Sequence, residues 1–532
     1  MRDVMAEPSS VASVWALSSP ACPWSSVPRT VNSDRPIPDL TRFTSPRFAP
    51  GFFSLRIVAA MAHVEPGAKR RQPNLCFEVR APKKRESVTS QRATMASFAA
   101  DSETAAEIDC FQLAGAREAV GEERARELVA GVVCASAPTH LKLSNKSFSE
   151  GAARIIASAL QERCQTVTVA DLSDIIAGKS EEEALEVLRI ICDSLGGCAL
   201  VDLNLSDNAL GRPGVLACQA VLSGKALQKL YVCNDGLSAE AAETLHEILA
   251  KDGMPVLSVF HFYNNMSGDG GAVAVANIVR ACPQLVDFRF SATRSQRPGC
   301  NAVAQALTTL NSLTSLDLCD CMFAGEAAVH LSKALESQTA LTMLNLRDAG
   351  LGEEGISAVI RALGAREGAA SRGLKFLDVS GCDLDADSAV ELARLVSGMS
   401  LLEELSVDDN SIESEGISAL ATVGLAKSSA LRSLSVCTCE VTASGAYRLA
   451  KTLSKLPTFT TLKLDGNSIC SRGVDEVQGL LLRSGKILVE MEDNDDDGDD
   501  DLDDAMEEDG GELQDKDEEA DDLADALGAT KL

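Results

Sequence analysis

The residues best suited to chemistry in this 532-residue sequence are five histidines, seventeen cysteines and a set of asparagines and acids that recur at fixed spacing. The histidines (His63, His140, His246, His261 and His330) stand far apart, and none pairs with a cysteine or carboxylate at the short spacing a metal site needs. They read as structural. The cysteines are scattered, odd in number and fall inside strand-like or helix-like segments with no CxxC pair, so they read as small, reduced, apolar side chains. Phosphate-loop, dinucleotide, nucleophile-elbow and kinase signatures do not occur. Gly268-Asp269-Gly270-Gly271 could cradle a phosphate, but it falls where every repeat of this chain starts a helix. These residues point to a binding protein with no reaction centre, metal or cofactor of its own.

The asparagines make sense only against the elements that carry them. Short segments of the form L-x-L begin at residues 141, 170, 203, 230, 260, 288, 316, 344, 377, 405, 434 and 462, at intervals of 27 to 33 residues. Five residues beyond these starts stand Asn208, Asn265, Asn410 and Asn467, with Cys321, Cys382 and Cys439 as alternatives. A side chain there can bond the backbone groups that a strand exposes where it ends. Eleven residues beyond the start comes a small residue in all units but one (Gly271, Gly355, Gly416 and Gly473 among them), which lets helices pack closely. A strand and a helix per unit of about 28 residues is the pattern of the leucine-rich repeat. The expected fold is therefore α/β, a leucine-rich-repeat solenoid of about twelve strand-helix repeats curved into a horseshoe. The exception at the eleventh position is Glu181, in the longer unit containing IIAGKSEEEAL, and an irregular loop on a regular array is where function tends to sit.

Composition bounds the rest. Aromatic residues are only 4% of the chain, so the core must be built from aliphatic side chains. The net charge of −29 is unevenly spread: residues 1–100 hold 14 Lys/Arg against 7 Asp/Glu, and residues 490–532 hold 22 acids against two lysines. An acidic body and tail would repel phosphates, so nucleic acid is not an expected partner. No apolar run reaches the roughly 18–20 residues of a membrane span. Residues 1–100 are expected to be a disordered basic region; its clusters Lys69-Arg70-Arg71 and Lys83-Lys84-Arg85 could act as a targeting signal, and Met61 could be the true start. Residues 101–138 are expected to form a helical cap, 139–489 the repeat domain and 490–532 a disordered acidic tail.

The stretch from DLSDIIAGKSEEEALEVL through LNLSDNALG and LYVCNDGLS to FHFYNNMSGDGG resembles the GTPase-activating proteins of the small GTPase Ran, especially those of plants and green algae. The resemblance covers roughly residues 139–490, and the acidic tail shares it. It implies a regulator that binds Ran in its GTP-bound form by its edge and loops, without an arginine finger, and helps Ran's own glutamine hold the attacking water. GTP and Mg would then be held by the GTPase, and a Ran-binding protein would be a further partner. By motif, Asn234 matches the asparagine that approaches that glutamine, with Asp235 beside it, and Lys179 falls where the family has an arginine. Asp207, Asn208, Asn264 and Asn265 are further candidate contacts or repeat-internal residues. The resemblance implies a cytoplasmic protein that supports directional nuclear transport; the envelope-targeting domain of land-plant relatives is not recognisable, which leaves a place at the nuclear envelope open. Two alternatives remain at this level: a generic leucine-rich interaction scaffold, and a binder of basic proteins acting through the tail.

Overall fold

A computed structural model describes residues 110–506 other than 133–136, 225, 252, 254–255, 366–372, 490, 492, 496–500 and 504. The expectations for residues 1–100, including both basic clusters, and for the far tail lie outside the described residues.

Among the described residues, fourteen short strands form one parallel sheet whose order follows the chain. All twelve expected strand starts meet in register: Leu141 pairs with Ala170, then Leu203, Leu230, Phe260, Phe288, Leu316, Leu344, Leu377, Leu405, Leu434 and Leu462. Period-two alternation sends these residues and those two further on into the core, while the residue between them faces out. Two strands, Val259–Tyr263 and Asp287–Ser291, are longer because Phe260, Phe262, Phe288 and Phe290 stack in pairs behind them. Helices return the chain behind the sheet. Their closeness explains the small eleventh residue: a Cβ on Gly416 would come within 2.7 Å of the Ala389 side chain, and one on Gly473 within 2.6 Å of Ala443. Strands about 4.8 Å apart and helices about 8–10 Å apart cannot stack straight, so the array must bend with its strands inside.

The ends differ from expectation. Residues 110–131 are a strand Cys110–Gln112, a strand Glu118–Val120 and a helix Glu122–Gly131, so the cap is a full unit and not a helix alone. Phe111 and Leu113 fill the buried slots of a leucine pair, and Phe111 pairs with Leu141. Fully buried Lys146 fastens this unit by donating to the carbonyl oxygens of Gly115 (3.0 Å) and Ala116. At the other end a strand Ile487–Val489 extends the sheet past the last expected unit. The acidic segment does not begin as free chain: Leu502 is buried, and Asp501 accepts from the Ser444 amide at 2.9 Å and from the Thr442 and Ser444 hydroxyls at 2.6 Å.

Candidate functional site

Each strand ends on a turn whose fourth residue, counted from the strand start, adopts left-handed backbone. Asn145, Asp174, Asp207, Asn234, Asn264, Asp320, Asp348 and Asp409 have φ between 51° and 64° there, Gly381 and Gly466 occupy the same position in two repeats, and Ala292 and Thr438 occupy it in the other two with φ 50° and 56°. Asn, Asp and Gly tolerate this conformation best, so backbone geometry is the first reason for the residue types along this edge. The next residue turns inward. The edge therefore alternates between an outward residue, polar in most repeats, and a buried one.

The outward column contains a continuous bonded run. Asn264 Nδ2 donates to Asn234 Oδ1 at 2.8 Å, and Asn234 Nδ2 donates to Asp207 Oδ1 at 2.9 Å. Asn234 and Asn264 are exposed and Asp207 is half-buried. An ionised carboxylate can only accept, so Asp207 fixes which way the Asn234 amide faces. These bonds use one of the two N–H groups and one of the two oxygen lone pairs of this exposed Asn234 side chain.

The inward column corrects three of the expected contacts. Asn208, Asp235 and Asn265 are 2%, 0% and 1% exposed, and cannot meet a partner surface without opening the turn. Asn208 Oδ1 accepts from the Ile175 amide at 2.9 Å while its Nδ2 donates to the carbonyls of Leu172 (2.9 Å) and Leu205 (2.7 Å). Asn265 accepts from the Asp235 and Leu237 amides, both at 3.1 Å, and donates to the Val232 carbonyl at 2.9 Å. These side chains hold the repeat together. Asp235 accepts from the Asn208 amide at 2.9 Å, and burial pushes its carboxyl well above the usual range.

Lys179 lies on the same side of the array, just before the helix Glu181–Leu195 that Ser180 caps by accepting from the Glu183 amide. The three extra residues of this loop carry Glu181 into solvent, and Ala184 takes the buried place nearest the helix start. Lys179 Nζ pairs with Glu183 at 3.1 Å, and its side chain is only 17% exposed. Two strand steps separate its repeat from that of Asn234, about 10 Å of sheet. The sequence signal for Glu183, a Ser-x-x-Glu capping pattern, was available but points to helix initiation.

Sequence reasoning missed a second cluster, on the strand face. Tyr231, His261 and Arg289 occupy the outward place between the two buried residues of successive strands. The rings of Tyr231 and His261 meet edge to face at 5.0 Å, Arg289 lies over Tyr263 at 5.3 Å, and Arg289 Nε stands 3.3 Å from Asp317. His261 Nε2 is 3.1 Å from Asp287. Burial raises the Asp287 carboxyl, but His261, the Ser315 hydroxyl and the Arg289 charge together hold it below the ordinary value. A three-residue motif scan sees only the flanking Leu and Phe residues.

A fold of stacked strand and helix units with a polar turn edge defines a leucine-rich-repeat protein, and the leucine-rich-repeat family model matches residues 398–421. RAN GTPase-activating protein 2 of Arabidopsis thaliana is 37% identical over 386 residues, covering 72% of this chain and 69% of that protein. RAN GTPase-activating protein 1 of the same plant is 39% identical over 120 residues, 22% of each chain. The chain belongs to the Ran GTPase-activating protein family. Ribonuclease inhibitor of Mus musculus is also similar, at 24% identity over 70% of this chain and 73% of its own. Among solved structures, an internalin of Listeria monocytogenes aligns over 71% of this chain and 86% of its own at 14% identity, with a TM-score of 0.39 that is too low to bear on the fold.

Proposed function

We propose that this protein activates GTP hydrolysis by Ran, acting as a regulator and supplying no cofactor of its own, with GTP and Mg held by Ran. The observation that carries the reading is the family membership together with the orientation of Asn234, an exposed amide fixed by Asp207 and Asn264. Phosphoryl transfer by a GTPase depends mainly on positioning and electrostatics, and a GTPase activator can supply up to about 10⁵-fold. A glutamine of the GTPase that wanders among rotamers holds the attacking water for only part of the time. The free N–H and the free oxygen lone pair of Asn234 can bond the carbonyl and the amide of that glutamine together, and so narrow its orientation. Because Asn234 is already held, little ordering cost arises on binding.

Lys179 supplies positive charge on the same edge and takes the place of the family's arginine. A lysine lacks the planar fork of arginine, so its contact is electrostatic and not bidentate. The GTP-bound form of Ran, with a Ran-binding protein, is the proposed partner, and low cytoplasmic Ran·GTP the proposed outcome.

Single-turnover GTP hydrolysis by Ran tests the reading, with the full chain as wild type, Asn234→Gly and Asn234→Ala. Glycine is the informative variant, since Gly381 and Gly466 stand at the equivalent left-handed turns and the fold accepts it there. Acceleration by wild type that is lost with glycine establishes the side chain's role. Acceleration that survives glycine but falls with alanine would reduce Asn234 to a turn residue, and no acceleration by wild type would leave a repeat scaffold.

A further inference from the structure

At the inward position of the turn, five residues after the strand start, every asparagine and cysteine donates to one particular backbone oxygen, that of the third strand residue of the preceding repeat. Asn208 reaches Leu172, Asn265 reaches Val232, Asn410 reaches Val379 and Asn467 reaches Val436, at 2.7 to 3.1 Å. The cysteines do the same through sulfur: Cys321 to Phe290 at 3.5 Å, Cys382 to Leu346 at 3.0 Å and Cys439 to Val407 at 3.2 Å. Asp235 alone places a carboxyl group at this position. Its Oδ1 accepts from the Asn208 amide, as the asparagine oxygens accept from backbone amides, but its buried Oδ2 has no hydrogen-bond partner among the described residues. By register that oxygen takes the donor's place, and the backbone oxygen it would serve is Leu205.

We propose that Asp235 is kept as the neutral carboxylic acid and that its Oδ2–H donates to the Leu205 carbonyl, making it the positioning residue that holds the turns of Asp207 and Asn234 together. Ionised, the group would set a carboxylate beside a carbonyl oxygen at a fully buried position, where the repulsion is poorly screened. Protonated, it completes the same donor and acceptor pattern as an asparagine. The titratable groups acting on it are Asp207 from the preceding turn, Cys233 on its own strand and Cys218 at the end of the helix Gly211–Ala217, and none of these is a cation. Burial acts first and the Asp207 charge in the same direction, both favouring the proton, against the bond from the Asn208 amide. The geometry matters to the proposed activity, and here the inference rests on that reading: Asp235 fixes Asn208 through its amide, the residue before Asn208 is Asp207, and Asp207 accepts from Asn234.

The test uses the full chain as wild type, Asp235→Asn and Asp235→Ala. Infrared spectra near neutral pH should show a protonated carboxylic acid band in wild type that loses intensity in Asp235→Asn. The folded pKa is raised, so the stability this group contributes is complete below the unfolded value near 4 and is lost as pH rises towards the folded value. Asp235→Asn should therefore gain on wild type steadily as pH is raised from about 4. Asp235→Ala should be less stable than both and should lose Ran activation that asparagine retains. An unchanged band in Asp235→Asn, a stability difference from wild type that does not move with pH, or an asparagine variant as damaged as alanine would each overturn the proposal. If wild type does not activate Ran, the infrared and stability results still decide the state of Asp235, so failure of the activity reading and failure of this inference are told apart.

Discussion

Asn234 donates its side-chain amide to Asp207 across 2.9 Å, joining the turns of two adjacent repeats by a charge-assisted bond at the surface. Glycine at 207 would remove the acceptor while keeping the left-handed turn, where Asp207 has φ 64°. The Asn234 amide would then be held only on its oxygen side, by Asn264, and its orientation would be looser. Loss of a hydrogen bond to a charged group is worth about 1.5–3 kcal/mol where it is fully felt, which sets roughly ten- to a hundredfold as the upper range for lost Ran activation. Thermal stability should change little. A rate equal to wild type would show that Asp207 does not orient Asn234.

The Lys179 and Glu183 pair predicts a dependence on salt. Glu183 holds the ammonium at 3.1 Å, in competition with any acidic group of a partner. Glu183→Gln should release it, strengthen partner binding at low ionic strength and steepen the loss of binding as salt is added. Lys179→Ala should flatten that dependence, and Lys179→Arg should bind at least as tightly as wild type. Titrations at several salt concentrations read all three; identical salt slopes would remove Lys179 from the interface.

Sequence reasoning located the sheet because the buried leucine slots repeat, and all twelve expected starts pair in register. It missed the first unit because the helical spacing of Glu122–Gly131 was extended over the whole of residues 101–138, although Phe111 and Gly115 stand at the same strand and turn positions as Phe260 and Gly381. The site was less legible for a geometric reason. In Asp207-Asn208, Asn234-Asp235 and Asn264-Asn265 adjacent residues of similar chemistry face opposite ways, the first out and the second in. Resemblance marks the pair; only counting from the strand start separates its members. That count already assigned Asn208 and Asn265 to the repeat, and applied to Leu230 it assigns Asp235 as well. The strand-face cluster of Tyr231, His261 and Arg289 is assembled from three repeats, and no local pattern encodes it.

Asp378 predicts a second pH effect of the same sign. Burial raises its carboxyl to about 6 despite bonds from Ser380 and the charge of Arg347. A raised folded value means stability is greatest below the unfolded value near 4 and falls as pH rises through about 6. At 1.36 kcal/mol per unit the loss is on the order of 2–3 kcal/mol. Asp378→Asn should remove that fall between pH 4 and 7 as read by denaturant unfolding, and a wild-type profile identical to the variant's would refute the assignment.

Asp501 carries the opposite sign. Burial raises it, but the Ser444 and Thr442 hydroxyls and the Ser444 amide lower it more, so its carboxylate is held below the usual value. The stability it supplies is present above the unfolded value near 4 and is lost as pH falls through the folded one. Asp501 does for the helix Ala443–Ser454 what a capping side chain does, since it binds free N–H and O–H groups in the first turn and places negative charge at the positive end of the helix. Leu502 beside it is buried, and Asp503 reaches Arg472 at 2.6 Å. The start of the acidic segment is therefore part of the cap that closes the array, where a terminal unit has no further neighbour. Truncation after residue 506 should leave unfolding unchanged. Truncation after residue 489, or Asp501→Ala, should cost about 1–3 kcal/mol and speed hydrogen exchange in the helices Ala443–Ser454 and Ser471–Arg483. Exchange equally slow in both truncations would mean that the acidic segment adds charge and no structure.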